Sequence, residues 1–131
     1  MPAPTLAGFN LGRSLVLFGS VARALAQDYI SSDQDGTVVE YLHVVIDVTA
    51  VTATPALTVK IQGKDPASGK YYDILVSTVI ATVSTTVLKV GPGLTAAGNL
   101  VANDMIPSIW RVLVNHGDTD SATYSIGASL G

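Results

Sequence analysis

Apolar and polar residues alternate with a period of two along most of the chain, the pattern of strands that bury one face. The clearest run is 57–64: Leu57, Val59 and Ile61 point one way, and Thr58, Lys60, Gln62 and Lys64 the other. The next five residues, Asp65-Pro66-Ala67-Ser68-Gly69, place Asp, Pro and Gly where a short loop needs them. A second strand over 70–78 completes a β-hairpin. Upstream, 37–49 is rich in Val, Ile, Thr and Tyr, and Val38, Leu42, Val44, Ile46 and Val48, with Glu40, form its even-numbered side. The other side carries Tyr41, His43 and Asp47 but also Val39 and Val45, so it is partly covered as well.

Further strands fall at 83–90, which Gly91-Pro92-Gly93 ends, and at 108–115. The latter places Trp110, Val112 and Val114 on one face, with Trp110 in the core, and Arg111 on the other. Tyr124, Ile126, Ala128 and Leu130 alternate in a last strand. Residues 31–36 and 117–121 are turn clusters, and 94–107 reads as a loop of small residues. The stretch 13–29 fits two patterns. Leu15, Phe18, Ala22 and Leu25 make a helical stripe; Leu15, Leu17, Gly19 and Val21 alternate as a strand. Gly19 and Ser20 weaken both, and the extended reading is preferred. Residues 1–10, with Pro2 and Pro4 and no period, read as an arm.

Seven or eight short strands, with no convincing helices between them, disfavour a parallel α/β fold. They predict an all-β domain, a β-sandwich of jelly-roll-like form. The expected division is an extended N-terminal segment over 1–30 and the sandwich over 31–131.

Composition adds a constraint. Of 131 residues, 48% are apolar and only 13% charged, about half the usual charged share of ~25%. Either Ser, Thr, Asn and Gly cover much of the surface or part of it is buried against other subunits; both are expected here. Net charge is −3, and the seven cations (Arg13, Arg23, Lys60, Lys64, Lys70, Lys89, Arg111) form no run. Nucleic-acid binding is therefore not expected. Without cysteine there are no disulfides or thiolate metal sites. No apolar run reaches the ~18 residues of a membrane helix, and the N-terminus lacks a basic leader. Synthesis and retention in a cytoplasm, until the chain joins an assembly, is the expectation.

Candidate chemistry is sparse. The string Gly63 to Lys70 mimics a phosphate-binding loop, but five residues separate its glycines and Tyr71 follows the lysine. Asp33-Gln34-Asp35-Gly36 resembles the start of a calcium loop, yet Val44 stands where the closing Glu belongs. Asp118 and Asp120 read as turn formers. Two histidines, His43 and His116, and a single glutamate leave little for acid–base catalysis, and no nucleophile elbow is present. No enzyme activity, metal or cofactor is expected. Of the adjacent Tyr71 and Tyr72, one should face outward.

The stretch Ile46-Asp-Val-Thr-Ala-Val51, together with Leu57-Thr-Val-Lys-Ile-Gln-Gly-Lys-Asp-Pro-Ala-Ser-Gly-Lys-Tyr-Tyr-Asp73, resembles small structural proteins of tailed bacteriophages and prophages. Gly91-Pro-Gly-Leu94, Ile109-Trp-Arg-Val112 and Thr123-Tyr-Ser-Ile-Gly-Ala-Ser-Leu130 are similar as well. The resemblance covers about 37–130 and implies a head decoration (cement) protein on the capsid surface. Its implied partners are the major capsid protein and itself, with a homotrimer favoured. It carries over no catalytic residues. Exposure logic then selects Phe9, Leu11, Arg13, Asp65, Lys70 and Tyr71 as contact candidates. A tail or head–tail connector subunit, or a surface carbohydrate- or receptor-binding module, are the alternatives.

Overall fold

The computed structural model describes residues 13–131, and the chain there is all-β. Ten strands are present among the described residues: β1 (Arg13–Arg23), β2 (Asp28–Ile30), β3 (Gln34–Asp35), β4 (Leu42–Val51), β5 (Leu57–Lys64), β6 (Tyr71–Val76), β7 (Ser84–Val90), β8 (Val101–Ala102), β9 (Ile109–His116) and β10 (Ala122–Leu130). They form two sheets. The first runs β1-β10-β4-β7-β8, and the second runs β2-β9-β5-β6 with β3 also on β9. All pairs are antiparallel except β7 with β8.

The sheets form a sandwich around one apolar core. Leu42, Val44, Ile46 and Val48 of β4 and Tyr124 and Ile126 of β10 face Leu57, Val59 and Ile61 of β5 and Trp110, Val112 and Val114 of β9. Every one of these is essentially inaccessible to water. The period of two in the sequence is thus the inner face of each strand. At about 25 cal/mol per Å² of apolar area removed from water, this core is the main stabilising term.

The hairpin forms as expected, with β5 and β6 flanking the loop 65–70. Asp65 anchors that loop: its carboxylate accepts from the Ala67 amide at 3.0 Å and the Ser68 hydroxyl at 2.7 Å, and Gly69 supplies a φ of 76°. Between Arg13 and Ile30 the extended reading is the observed one, because Leu15 and Phe18 pack inward from β1. Both β1 and β2 are paired into the sheets, one in each.

Three expectations need correction. The strand expected over 37–49 begins only at Leu42. Val38 has a φ of 56° and is exposed, so the chain turns there and the apolar alternation starts after it. Gln34–Asp35 and Val101–Ala102, expected in a turn and a loop, are two-residue strands too short to show a period.

Candidate functional site

One end of the sandwich gathers the start of β1, the end of β10, β3, the start of β9 and the β5–β6 loop. The register brings them together. Arg13 is opposite Leu130, Gln34 is opposite Trp110, and Trp110 is opposite Gly63, one residue before Lys64 and its partner Tyr71. The Arg13 guanidinium donates to the Asp35 carbonyl, which ties β1 of the first sheet to β3 of the second.

Beside this junction, the outer face of the second sheet carries a connected polar network. Arg111 Nε donates to Gln62 Oε1 at 2.9 Å, and Gln62 Nε2 donates to Asp73 at 2.8 Å. Lys60 lies 3.5 Å from Asp73. The Arg111 guanidinium sits 3.4 Å from the centre of the Tyr71 ring. The Tyr71 hydroxyl donates to Asp33 at 2.7 Å, and Lys64 reaches the same carboxylate at 3.3 Å. The Tyr71 hydrogen bond, and then Lys64, hold the Asp33 carboxyl below its ordinary pKa, while Asp33 raises Lys64. An open hollow of about 350 Å³ adjoins the network, lined by Asp33, Gln34, Asp35, Thr37, Ser108 and Ile109.

The contact candidates divide accordingly. Arg13, Asp65, Lys70 and Tyr71 fall at this end of the molecule. Phe9 and Leu11 lie outside the described residues. Tyr71 lies on the outer face of the second sheet, half-buried under Arg111, and Tyr72 is the more exposed of the pair. Tyr72 turns to the rim, where its ring lies over Gly63 beside Pro107. Sequence reasoning missed Asp33, Gln62, Lys64, Asp73 and Arg111 as one network. The alternation of Lys60, Gln62 and Lys64 signalled their shared face. Nothing local signalled that Arg111, on β9, would reach across β5 to Tyr71.

The carboxylates of the calcium-like string are engaged by protein donors. Asp33 holds Tyr71 and Lys64, and Asp35 accepts from the Thr37 amide and hydroxyl. Asp118 accepts from the Asp120 amide. Among the described residues no three His, Asp or Glu side chains converge in a metal-binding group.

His43 is exposed on the outer face of the first sheet. His116 is 3% exposed, at the opposite end of the sandwich. Its Nε2 pairs with the Tyr124 hydroxyl at 2.9 Å, and the Tyr29 ring lies 4.7 Å away. Burial, and then the charge of Arg23, push the His116 pKa below its ordinary value. Arg23 itself fills an irregularity between β1 and β10, where Gly19 and Ser20 drop out of register. Its guanidinium donates to the carbonyls of Tyr124 (2.8 Å), Gly19 (2.9 Å) and Val21 (3.1 Å), and lies 4.4 Å from the Tyr124 ring centre. These groups hold the core shut at that end.

No family model and no curated protein matches the chain. A solved structure does, described as the crystal structure of the SPBc2 prophage-derived protein YomS. It aligns with 92% of this chain and 93% of its own, with a TM-score of 0.51 at 9% identity. A likeness at that identity is a likeness of fold.

Proposed function

We propose that this chain is a structural module of a phage-type virion that acts by binding, not catalysis, as a head decoration (cement) protein. The observation that carries this reading is the shared fold, over nearly the whole chain, with a prophage-derived protein. The strand order supports it further. Among the described residues β1 pairs with β10 and β2 with β9, in alternate sheets. We read this nesting as jelly-roll winding, an architecture frequent in virion proteins.

In this reading the docking surface is the end built from Arg13, the β5–β6 loop and the Tyr71 network. Its side chains hold one another in place, so binding orders few new rotamers. One ring face of Tyr71 is already covered by Arg111, which favours a protein partner over a stacked sugar. The partner is the major capsid protein in its assembled form. Selective binding to that form stabilises the shell by mass action. The site of action is the capsid surface, after synthesis in the host cytoplasm.

Co-sedimentation with expanded phage shells, and separately with unassembled capsid subunits, tests the proposal. Saturable binding to shells alone is expected, weakened about tenfold or more by Tyr71→Ala, which removes a central aromatic contact. Equal binding to free subunits would overturn it. So would no binding together with ring or tube formation by the purified chain, the behaviour of a tail or connector subunit.

A further inference from the structure

The two outer faces of the sandwich differ in kind. The second sheet is laced with paired charges. The outer face of the first sheet is built mostly from Ser, Thr, Gly and Val. Register places Val16, Gly127, Val45 and Val87 in one row straight across β1, β10, β4 and β7. Val16 is 81% exposed, and Gly127, Val45 and Val87 are half-buried. On one side of it lie His43 and Lys89, which are register partners. On the other lie Asp47 and Thr85, also partners, with the Thr85 hydroxyl 3.1 Å from the Asp47 carboxylate. The face therefore has a basic edge, an apolar middle and an acidic edge.

We infer that this face is a self-complementary interface, on which a second copy of the chain packs about a two-fold axis running along the valine row. That axis follows from the charge pattern. A rotation about the row direction lays each strand antiparallel on its own counterpart and the basic edge of one copy on the acidic edge of the other. His43 then meets Asp47 of the second copy, and Lys89 meets the Thr85–Asp47 pair, twice per dimer. A rotation about the strand direction would instead stack the basic edges on each other. The valine row packs on itself, and Gly127, where an added Cβ would meet only the Leu15 carbonyl at 3.5 Å, leaves a shallow seat between Val16 and Val45.

The area is sufficient. Four strands at ~4.8 Å spacing, of seven to eleven residues at ~3.3 Å each, give a patch of roughly 20 by 30 Å. That is about 600 Å² per copy and about 1,200 Å² in total, the lower bound of specific interfaces. The docking end described above stays free in such a pair, so the inference does not depend on shell binding.

Light scattering after size-exclusion chromatography, with equilibrium sedimentation for the dissociation constant, tests it on the whole chain. Twice the 13.5 kDa chain mass is expected. Val45→Lys should raise the dissociation constant about a hundredfold, since it buries two unpaired charges in the apolar row. Lys89→Glu should raise it about tenfold by facing Asp47 with a like charge. Adding Asp47→Lys to Lys89→Glu places a cation beside the introduced carboxylate of the second copy and should recover part of the pairing, the His43–Asp47 contact being lost. All of these positions point away from the core, and unchanged far-ultraviolet circular dichroism would verify folding. A monomeric chain, a mass of three chains, or a dimer indifferent to Val45→Lys would each overturn the inference, whatever the shells do.

Discussion

Arg23 and His116 show how single side chains govern one end of the molecule. The guanidinium of Arg23 supplies donors to three backbone carbonyls, at an irregularity where regular strand pairing supplies none. Hydrogen bonds from charged donors contribute about 1.5–3 kcal/mol when shielded, and those reaching solvent contribute less. Arg23→Ala should therefore cost about 2–4 kcal/mol, read as a shift in the urea unfolding midpoint. Arg23→Lys should recover less than half of it, because an ammonium cannot fork across three acceptors. A loss below about 0.5 kcal/mol, the size of a typical surface substitution, would show that the carbonyls find water instead. His116 gives a pH dependence. Its pKa is lowered in the fold, so the unfolded chain takes up the proton first as pH falls. Its contribution to stability is complete above the unfolded value of about 6.5 and is lost as pH drops from there through the folded value. Melting temperature should fall between pH 7 and 5, and the slope should vanish in His116→Gln. The lowered carboxyls of Asp33, Asp35 and Asp65 act in the same direction, but only below about pH 4.

At the scale of elements, the β5–β6 hairpin was legible because everything that specifies it is local: alternation, an Asp-Pro start and a glycine at the left-handed position. The strand expected from Thr37 was misread at its start for a physical reason. Thr37 to Tyr41 have strand-like composition, but the Asp35 carboxylate caps Thr37, and the amides of Glu40 and Tyr41 both donate to the Gly131 carbonyl, a partner 90 residues away. Glycine 63 shows the same gap. Within an alternating strand it looks like a weak point, yet it seats Tyr72. A Cβ there would lie 2.6 Å from the Tyr72 ring and hydroxyl and 2.7 Å from Pro107. Tyr72 stands at the rim and can swing aside, whereas Pro107 cannot. Gly63→Ala should thus destabilise by about 1–3 kcal/mol, the usual range for overpacking. Thermal melts would register this as a fall of several degrees; an unchanged melting temperature would mean that the β9 approach yields.

At the scale of the whole molecule, the sandwich was readable from the number and spacing of strands, while the partners of each strand were not. Lys60, Gln62 and Lys64 announce an outward face. What they meet there comes from Asp33 just ahead of β3, from β6 and from β9, up to 49 residues away along the chain, and periodicity carries no information about such pairings. The same holds for the valine row, whose four members come from four strands and acquire meaning only once the register is known. Shell docking and self-pairing are properties of this scale, and their tests above separate one from the other.

The order β1-β10-β4 has a consequence for how the chain is made. Residues 122–130 form the strand between β1 and β4, so neither can take its neighbour β10 until those residues have emerged from the ribosome. Until then the inward residues of β1 and β4 lack β10 between them, and the first sheet is completed from its middle. A nascent chain stalled short of residue 122 would therefore hold a formed β5–β6 hairpin beside an open, adhesive half-sandwich, the species a holding chaperone would meet.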